Sequence, residues 1–401
     1  MVKIFSLYIN SFKGFTQTFW LLMLAVFINR FGDFLVRPFL SLYITGDLGG
    51  SVSQAGLILS AFTLFGIVSI PFSAYIADNL GYKNTITISM SLAGIVIGTI
   101  TFINDMYLVI SLLMIFSMLI APYNAISKAI TIDLVEESRK QEAFAINRTM
   151  TNIAGSITPL IAGYLLAVNS SAIFAINSIT LVIFAVIVMF FLKLPNKSHQ
   201  INKIRKVKKK IRLGDHKALI YFVMVYSLVT TVLAQYTFGL PIYLRDELDM
   251  YSLYFMLVAI SAILVILTEV PFVNIIKHLN NYILLSISAV LIGLGFFIFI
   301  FVDSYAMGIV AIVIITIGEM IFASFGATYV SNIASLENRA TYMGYYTISW
   351  QTGLAIGPLI ASFTMSINPD LIWYTSLALC LVASLGFLML YKKNSKEVGK
   401  E

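Results

Sequence analysis

Arg30, Asp33 and Arg37 stand at positions i, i+3 and i+7 of a strongly apolar run, so a helix there projects all three charges from one face. Leaving even one of them in hydrocarbon costs about 3 kcal/mol on insertion scales. The three must therefore pair, and the reading that follows is a wet cavity beside them. A static cluster stapling this helix to a neighbour is the alternative. A neutral pair would be enough for a staple, whereas this triad carries a surplus positive charge that calls for another carboxylate or for an anionic group on a bound molecule. Two further carboxylates lie in apolar runs: Glu319, in Thr316-Ile317-Gly318-Glu319-Met320, and Glu269, in Thr268-Glu269-Val270-Pro271. At such depth desolvation and a neighbouring arginine pull a carboxyl group in opposite directions, so its proton can be exchanged as exposure changes. That is the chemistry of proton coupling. Glu269 has the alternative of bonding a backbone group freed by Pro271, and Lys128 that of snorkelling to a membrane surface.

The elements that must position these groups follow from composition. Of 401 residues, 59% are apolar and 11% charged, against roughly 25% charged in soluble domains, so the bilayer must be the solvent. A crossing needs about 20 residues, which leaves room for about twelve with short loops. Apolar runs between polar or turn-rich breaks predict helices near 17–44, 53–77, 84–103, 106–131, 143–167, 170–193, 218–244, 251–276, 282–302, 305–333, 342–366 and 371–391. The N-terminus has no short apolar core with a small-residue cleavage site, so the first helix is expected to be retained.

Charge sets the expected orientation. Lys193, Lys197, Lys203, Arg205, Lys206, Lys208, Lys209, Lys210, Arg212 and Lys217 crowd into one polar stretch, which the basic-residue bias places in the cytoplasm together with both termini. The opposite loops carry Asp47, Asp105, Asp246, Glu247, Asp249, Asp303 and Asp370, with Arg245 as their only basic residue. The net charge of +7 reads as this bias plus attraction to anionic membrane lipid, not as nucleic-acid binding. The single cysteine, Cys380, excludes an internal disulfide and reads as a small apolar side chain. No zinc, nucleotide-cradling or nucleophile-elbow motif occurs, and His199, His216 and His278 fall in or near loops, so neither an enzyme nor a metal or other cofactor is expected. With no nucleotide loop, an ion gradient must drive any uphill work.

The chain also repeats itself. Pro71-Phe72 returns as Pro271-Phe272, Glu137-x-Arg139 as Glu337-x-Arg339, and Gly155-x-x-x-Pro159 one residue out of step as Gly353-x-x-x-Gly357-Pro358. Two related halves, each long enough for six crossings, are a common plan of carriers, with the substrate site between the halves.

The turn Ala74-Tyr75-Ile76-Ala77-Asp78-Asn79-Leu80-Gly81-Tyr82-Lys83-Asn84 resembles the G-x-L-A-D-R-x-G-R-K signature of the major facilitator superfamily, matching at Asp78, Gly81 and Lys83. The resemblance implies a cytoplasmic latch holding the outward-open state; by residue chemistry alone these are a cap and a tight turn. The glycine-proline stretches at Gly155–Pro159 and Gly353–Pro358 resemble the G-x-x-x-G-P-x-x-G-G pattern of its antiporter branch, and packing of small residues with a proline bend accounts for them equally. Asn29 to Leu40, with Gly32 six positions before Pro38, resembles the first-helix motif of twelve-helix drug:proton antiporters. Gly318-Glu319 resembles the helix-ten Gly-Glu of proton-driven multidrug exporters.

The expectation is an all-α membrane protein of twelve transmembrane helices in two pseudo-symmetric six-helix bundles, 1–193 and 218–401, joined by the basic linker 194–217. In that family helices one, four, seven and ten line the cavity. This makes Asn29, Arg30, Arg37, Tyr123, Asn124, Gln235, Tyr236 and Phe238 the candidate substrate contacts, with Glu319, Asp33 and Glu269 for proton coupling. Asp78, Gly81, Lys83, Pro159, Gly357 and Pro358 are the candidate conformational gate. Charged loops at Asp133 to Lys140 and Leu336 to Arg339 either pair with Asp78 and Lys83 or serve as solvated caps. The functional expectation is a monomeric plasma-membrane exporter of amphipathic organic compounds that exchanges its small-molecule substrate for protons. A dedicated exporter of one anionic product, metallophore or lipid, and a non-transporting receptor, are the alternatives.

Overall fold

The computed structural model describes residues 14–136, 139–168, 170–192, 217–333 and 339–398. Glu137, Glu337 and the expected linker up to residue 216 lie outside them. Without water to take up backbone N–H and C=O groups, an apolar chain must satisfy them within helices or a closed barrel. Here the described residues form helices and short connections, with no strand among them.

The helices are α1 Gln17–Thr45, α2 Val52–Leu80, α3 Tyr82–Ile100, α4 Met106–Asp133, α5 Lys140–Val168 and α6 Ala172–Val186, which closes in a π-helical turn Ile187–Phe191. Then come α7a Lys217–Leu233, α7b Gly239–Asp246, α8 Tyr251–Ile276, α9 Asn281–Phe297, α10 Tyr305–Ile333, α11 Arg339–Ile367 and α12 Leu371–Val398. Ten segments among the described residues are long and apolar enough to cross a membrane, α7a and α7b together forming one of them. The protein is therefore an integral, multi-pass membrane protein. α5 and α11 are each 29 residues long but carry more polar side chains.

Periodicity found these elements to within a few residues, and missed one break. The run expected at 218–244 is interrupted at Ala234–Tyr236 by a 3-10 turn before α7b begins. Pro241 stands in the first turn of α7b, where its missing N–H leaves no intrahelical bond unmade. Gln235 compensates: its Nε2 donates to Thr231 O at 3.2 Å and to Gly357 O of α11 at 3.0 Å.

The chain groups into two compact units, Met1–Arg37 with Leu64–Lys209, and Pro38–Thr63 with Lys210–Glu401. They differ from the halves expected from the repeat by one hairpin, the end of α1 with the start of α2, which packs with the second unit. In the first unit α3 packs on α4 and α6. Ser178 Oγ of α6 donates to Gly94 O of α3 at 2.7 Å. α1 reaches α6 at Gly32, where a Cβ would overlap Thr180 Oγ1 and crowd Asn177. In the second unit α9 lies between α10 and α12, α7a packs on α11 and α12, and α8 on α10. α7a meets α11 closely enough for Thr230 Oγ1 to donate to Ser349 O at 2.9 Å.

Small residues at such crossings exchange side-chain volume for backbone contact, the means by which helices associate where lipid removes the hydrophobic drive. Substituting Gly32 with Val should therefore destabilise the protein by about 1–3 kcal/mol through overpacking. The check is a lower thermal unfolding midpoint of the purified protein in detergent.

Candidate functional site

The charged triad of α1 pairs within its own helix. Asp33 accepts from Arg37 Nε at 2.6 Å through Oδ1 and from Arg30 Nη1 at 3.3 Å through Oδ2, so one carboxylate bridges two guanidinium groups. The side chains are 24% exposed at Arg30, 19% at Asp33 and 41% at Arg37, so the bridging carboxylate is the least exposed of the three. Arg30 also lies 5.1 Å from the ring centroid of Tyr123 on α4. That geometry is a cation–π contact, favoured where the guanidinium is partly desolvated. The Tyr123 hydroxyl lies beside the side chains of Asn29 and Ser127. Its ring stands edge-on to Phe184 of α6, with centroids 5.4 Å apart. Asn29, Arg30, Asp33, Arg37 and Tyr123 thus form one polar cluster of the first unit. Asn124 follows Tyr123 on α4, and its side chain lies outside the described residues, as do those of Asp78, Lys128 and Pro159.

The second unit carries the other carboxylates. Glu319 stands at the middle residue of α10 and is half-buried, within electrostatic reach of the hydroxyls of Tyr226 and Tyr236. Glu269 on α8 is 7% exposed and accepts from Ser324 Oγ of α10 at 3.3 Å. The same α8–α10 seam holds two more polar contacts, Thr316 Oγ1 to Ser261 Oγ at 2.9 Å and Thr268 Oγ1 to Met320 Sδ at 3.6 Å. The Tyr236 hydroxyl is buried beside the seam without a hydrogen-bond partner among the described residues.

Beside Glu319, Tyr226 stacks on Phe322 with centroids 3.9 Å apart, and its hydroxyl lies 3.0 Å from that of Tyr346. Trp350 stands edge-on to both Tyr226 and Phe322. Sequence reading missed this aromatic group and the seam. A signal existed in the spacing: Thr316, Met320 and Ser324 recur every four residues and Ser261 and Thr268 are seven apart, so each set shares a helix face.

Other candidates have structural employment. Gln235, 1% exposed, spends its amide N–H groups on the α7 break and on α11, and Phe238 is equally buried. Gly81 turns the chain between α2 and α3 at φ 79°, a backbone region that favours glycine. Lys83 Nζ donates to Leu192 O at 2.8 Å, capping the end of α6. Gly357 lets α11 close on Ala234, and Pro358 lies inside α11. Arg139, expected in a charged loop, places its guanidinium 3.8 Å over the ring of Phe15.

The sequence model of the Major Facilitator Superfamily matches residues 22–335 and 255–401, nearly the whole chain. The chain belongs to that superfamily. It is a membrane transporter of the MFS type. The uncharacterized MFS-type transporter YqjV of Bacillus subtilis (strain 168) is 22% identical over 364 residues, covering 89% of this chain and 88% of its own. A Na(+), Li(+), K(+)/H(+) antiporter of Planococcus maritimus is 20% identical over 385 residues, covering 88% and 90%. Among solved structures, a POT family transporter in complex with a thioalcohol-conjugated peptide superposes with a TM-score of 0.78 at 18% identity, covering 95% of this chain and 97% of its own. The nucleoside transporter NupG does so with a TM-score of 0.76 at 15% identity, covering 94% and 100%. At these identities the superpositions show the fold.

The bridging position of Asp33 sets a prediction. Replacing Asp33 with Asn leaves two guanidinium groups facing each other without their common partner and should cost about 3 kcal/mol, as breaking a buried pair does. Replacing the more exposed Arg37 with Gln should cost under about 1 kcal/mol. Denaturation of the two variants in one detergent compares them directly.

Proposed function

We propose that this transporter exports amphipathic organic compounds in exchange for protons, by alternating access in the plasma membrane, as a monomer with both termini in the cytoplasm. The observation that carries the reading is the half-buried Glu319 at the midpoint of α10, set beside tyrosine hydroxyls and an aromatic group. A carboxyl group there takes a proton when exposed to one side and gives it up when exposed to the other, and its charge change alters the affinity for cargo. Glu269 and Asp33 are the further proton-coupling candidates. Asn29, Arg30, Arg37, Tyr123, Asn124, Gln235, Tyr236 and Phe238 are the proposed substrate contacts. Asp78, Gly81, Lys83, Pro159, Gly357 and Pro358 are the proposed conformational machinery. Mixed aromatic and amide groups suit amphipathic cargo. The relative from Planococcus maritimus, named as a cation/proton antiporter, supports proton exchange as the drive.

A second reading has its own support. Two arginines share the single Asp33 carboxylate, and Arg37 is 41% exposed, which suits a dedicated exporter of an anionic product. Accumulation of cationic dyes against anionic metabolites, in cells with and without the protein, separates the two readings.

The direct test is reconstitution in liposomes with an imposed pH gradient and a mixed substrate panel. Proton-linked movement of substrate should appear with the native protein and fall by at least about tenfold in Glu319→Gln, since the amide cannot carry the proton. Full proton-linked transport by that variant would remove Glu319 from the mechanism. Activity of the protein that needs no gradient and survives the substitution would favour a receptor.

A further inference from the structure

Tyrosine hydroxyls inside the second unit can find protein partners. Tyr243 donates to Asp370 Oδ1 at 2.6 Å, and Tyr226 lies 3.3 Å from Phe322 O and 3.0 Å from the Tyr346 hydroxyl. The hydroxyls of Tyr236 and Tyr254 are different: both are buried without a hydrogen-bond partner among the described residues. They are also neighbours. Tyr236 closes the 3-10 turn between α7a and α7b, Tyr254 lies in the first turn of α8, and their ring centroids are 6.5 Å apart. An unpaired phenol in a low-dielectric interior is costly, and phenylalanine would fill the same space without that cost. Two such hydroxyls side by side therefore mark a place for bound water, which sits where buried polar atoms are otherwise unsatisfied.

The two phenols are the inner members of a string. Tyr251, the first residue of α8, is half-buried and stands within electrostatic reach of Tyr254 on one side and of Arg245 and the exposed Asp47 on the other. Tyr254 is within the same reach of Tyr236, and Tyr236 of Glu319. Ser261 flanks the inner end: it lies beside the Tyr236 hydroxyl, and its Oγ accepts from Thr316 Oγ1 at 2.9 Å. The helices fix the order. Tyr251 and Tyr254 open α8, Ser261 follows about two turns deeper on the face of Tyr254, and Glu319 is the middle residue of α10. Hydroxyls thus lead from the end of the unit that carries the acidic loops down to the carboxyl group at mid-span. Every member belongs to the second unit.

We infer that this string is a proton route: water held by Tyr251, Tyr254 and Tyr236 links the solvent at the acidic-loop end to Glu319 through the interior of the second unit. A phenol hydroxyl accepts a hydrogen bond from one water while it donates to the next, which is what a relay requires. A proton arriving at Tyr251 is passed on by exchange at each hydroxyl and water in turn, and the last transfer neutralises the Glu319 carboxylate. Each phenol takes one proton and gives one, so no tyrosine changes charge. Asp47 and Arg245 face the mouth and Glu319 the inner end, so the only charged partner deep in the unit is the acceptor itself. The charge signs of the loops place the mouth outside the cell. The route rests on the reading of Glu319 as the proton acceptor and adds the path by which its proton comes. Tyr251 and Tyr254 are not among the proposed substrate contacts, which makes them separable from cargo binding.

Two measurements on the full chain test the route. Radiolytic hydroxyl-radical labelling oxidises side chains that touch bound water even where bulk solvent does not reach. Tyr254 should be oxidised several-fold faster than Tyr226, which is as deeply buried but has its hydroxyl bonded to protein. Equal rates would overturn the proposal. In liposomes with an imposed pH gradient and a mixed substrate panel, Tyr254→Phe should lower the maximal rate of proton-linked movement by about tenfold and leave the half-saturating substrate concentration unchanged. Tyr251→Phe should act in the same direction. The thermal unfolding midpoint of Tyr254→Phe should be no lower than that of the native protein, because the lost hydroxyl has no partner among the described residues. A native maximal rate in Tyr254→Phe would sink the route and leave Glu319 in place as acceptor. Full proton-linked movement in Glu319→Gln, or none in the native protein, would instead sink the proton-exchange reading and the route with it, so the two failures are told apart.

Discussion

Hydrocarbon offers no hydrogen bonds, and that constraint shapes almost every polar atom of this chain. Hydroxyl side chains inside the spans mostly turn back on their own helix: Thr63 Oγ1 donates to Leu59 O at 3.0 Å, and Thr131 Oγ1 to Ser127 O at 2.8 Å. Such residues present no bare polarity to a neighbour or to lipid. Where a hydroxyl crosses to another helix instead, it marks a fixed junction. Ser286 and Ser384 meet at 2.7 Å between α9 and α12, and Ser69 Oγ lies 3.2 Å from Met118 O between α2 and α4. Interhelical bonds of this kind contribute about 0.6 kcal/mol each on average. They fix register more than they supply stability.

Charge obeys the same constraint at higher cost, which is why the ionisable groups are so informative. Asp33 bridges two arginines at once, while the Tyr123 ring faces Arg30. Glu269 is held by a serine from the facing helix, whereas Glu319 has tyrosines near it and more exposure.

The sequence made the helices legible because apolar length is a strong signal, and the ends of α8 and α10 fall where the polar breaks put them. Pairing within the Arg30, Asp33, Arg37 triad was legible too, since one helix face holds all three and hydrocarbon forbids leaving them apart. The break between α7a and α7b was hidden inside an unbroken apolar run, because hydropathy does not register where the helical bonding pattern changes. Lys83 at a helix-end carbonyl and Arg139 over an aromatic face show contacts that depend on tertiary placement, which short-range charge patterns do not carry. The aromatic group around Tyr226 draws on α7a, α10 and α11, and no spacing along one segment can announce a cluster assembled from three.

The repeat offers a deeper reading than topology alone. At the turns 44–50 and 244–250, 200 residues apart, the backbone is duplicated, with Gly50 N donating to Ile44 O and Met250 N to Leu244 O, both at 2.8 Å, yet the side chains have diverged: glycine at 49 against aspartate at 249, and threonine at 45 against arginine at 245, whose Nη2 donates to Thr45 Oγ1 at 2.8 Å. A left-handed turn residue costs glycine little and aspartate of order 1 kcal/mol, so the second copy keeps the fold while giving up local ease. Identical side chains would not serve at a place where repeat mates touch. Two arginines there would repel and two threonines would hold weakly, whereas one of each makes a donor meet an acceptor. Divergence of the copies at their point of contact is thus a chemical requirement of joining them.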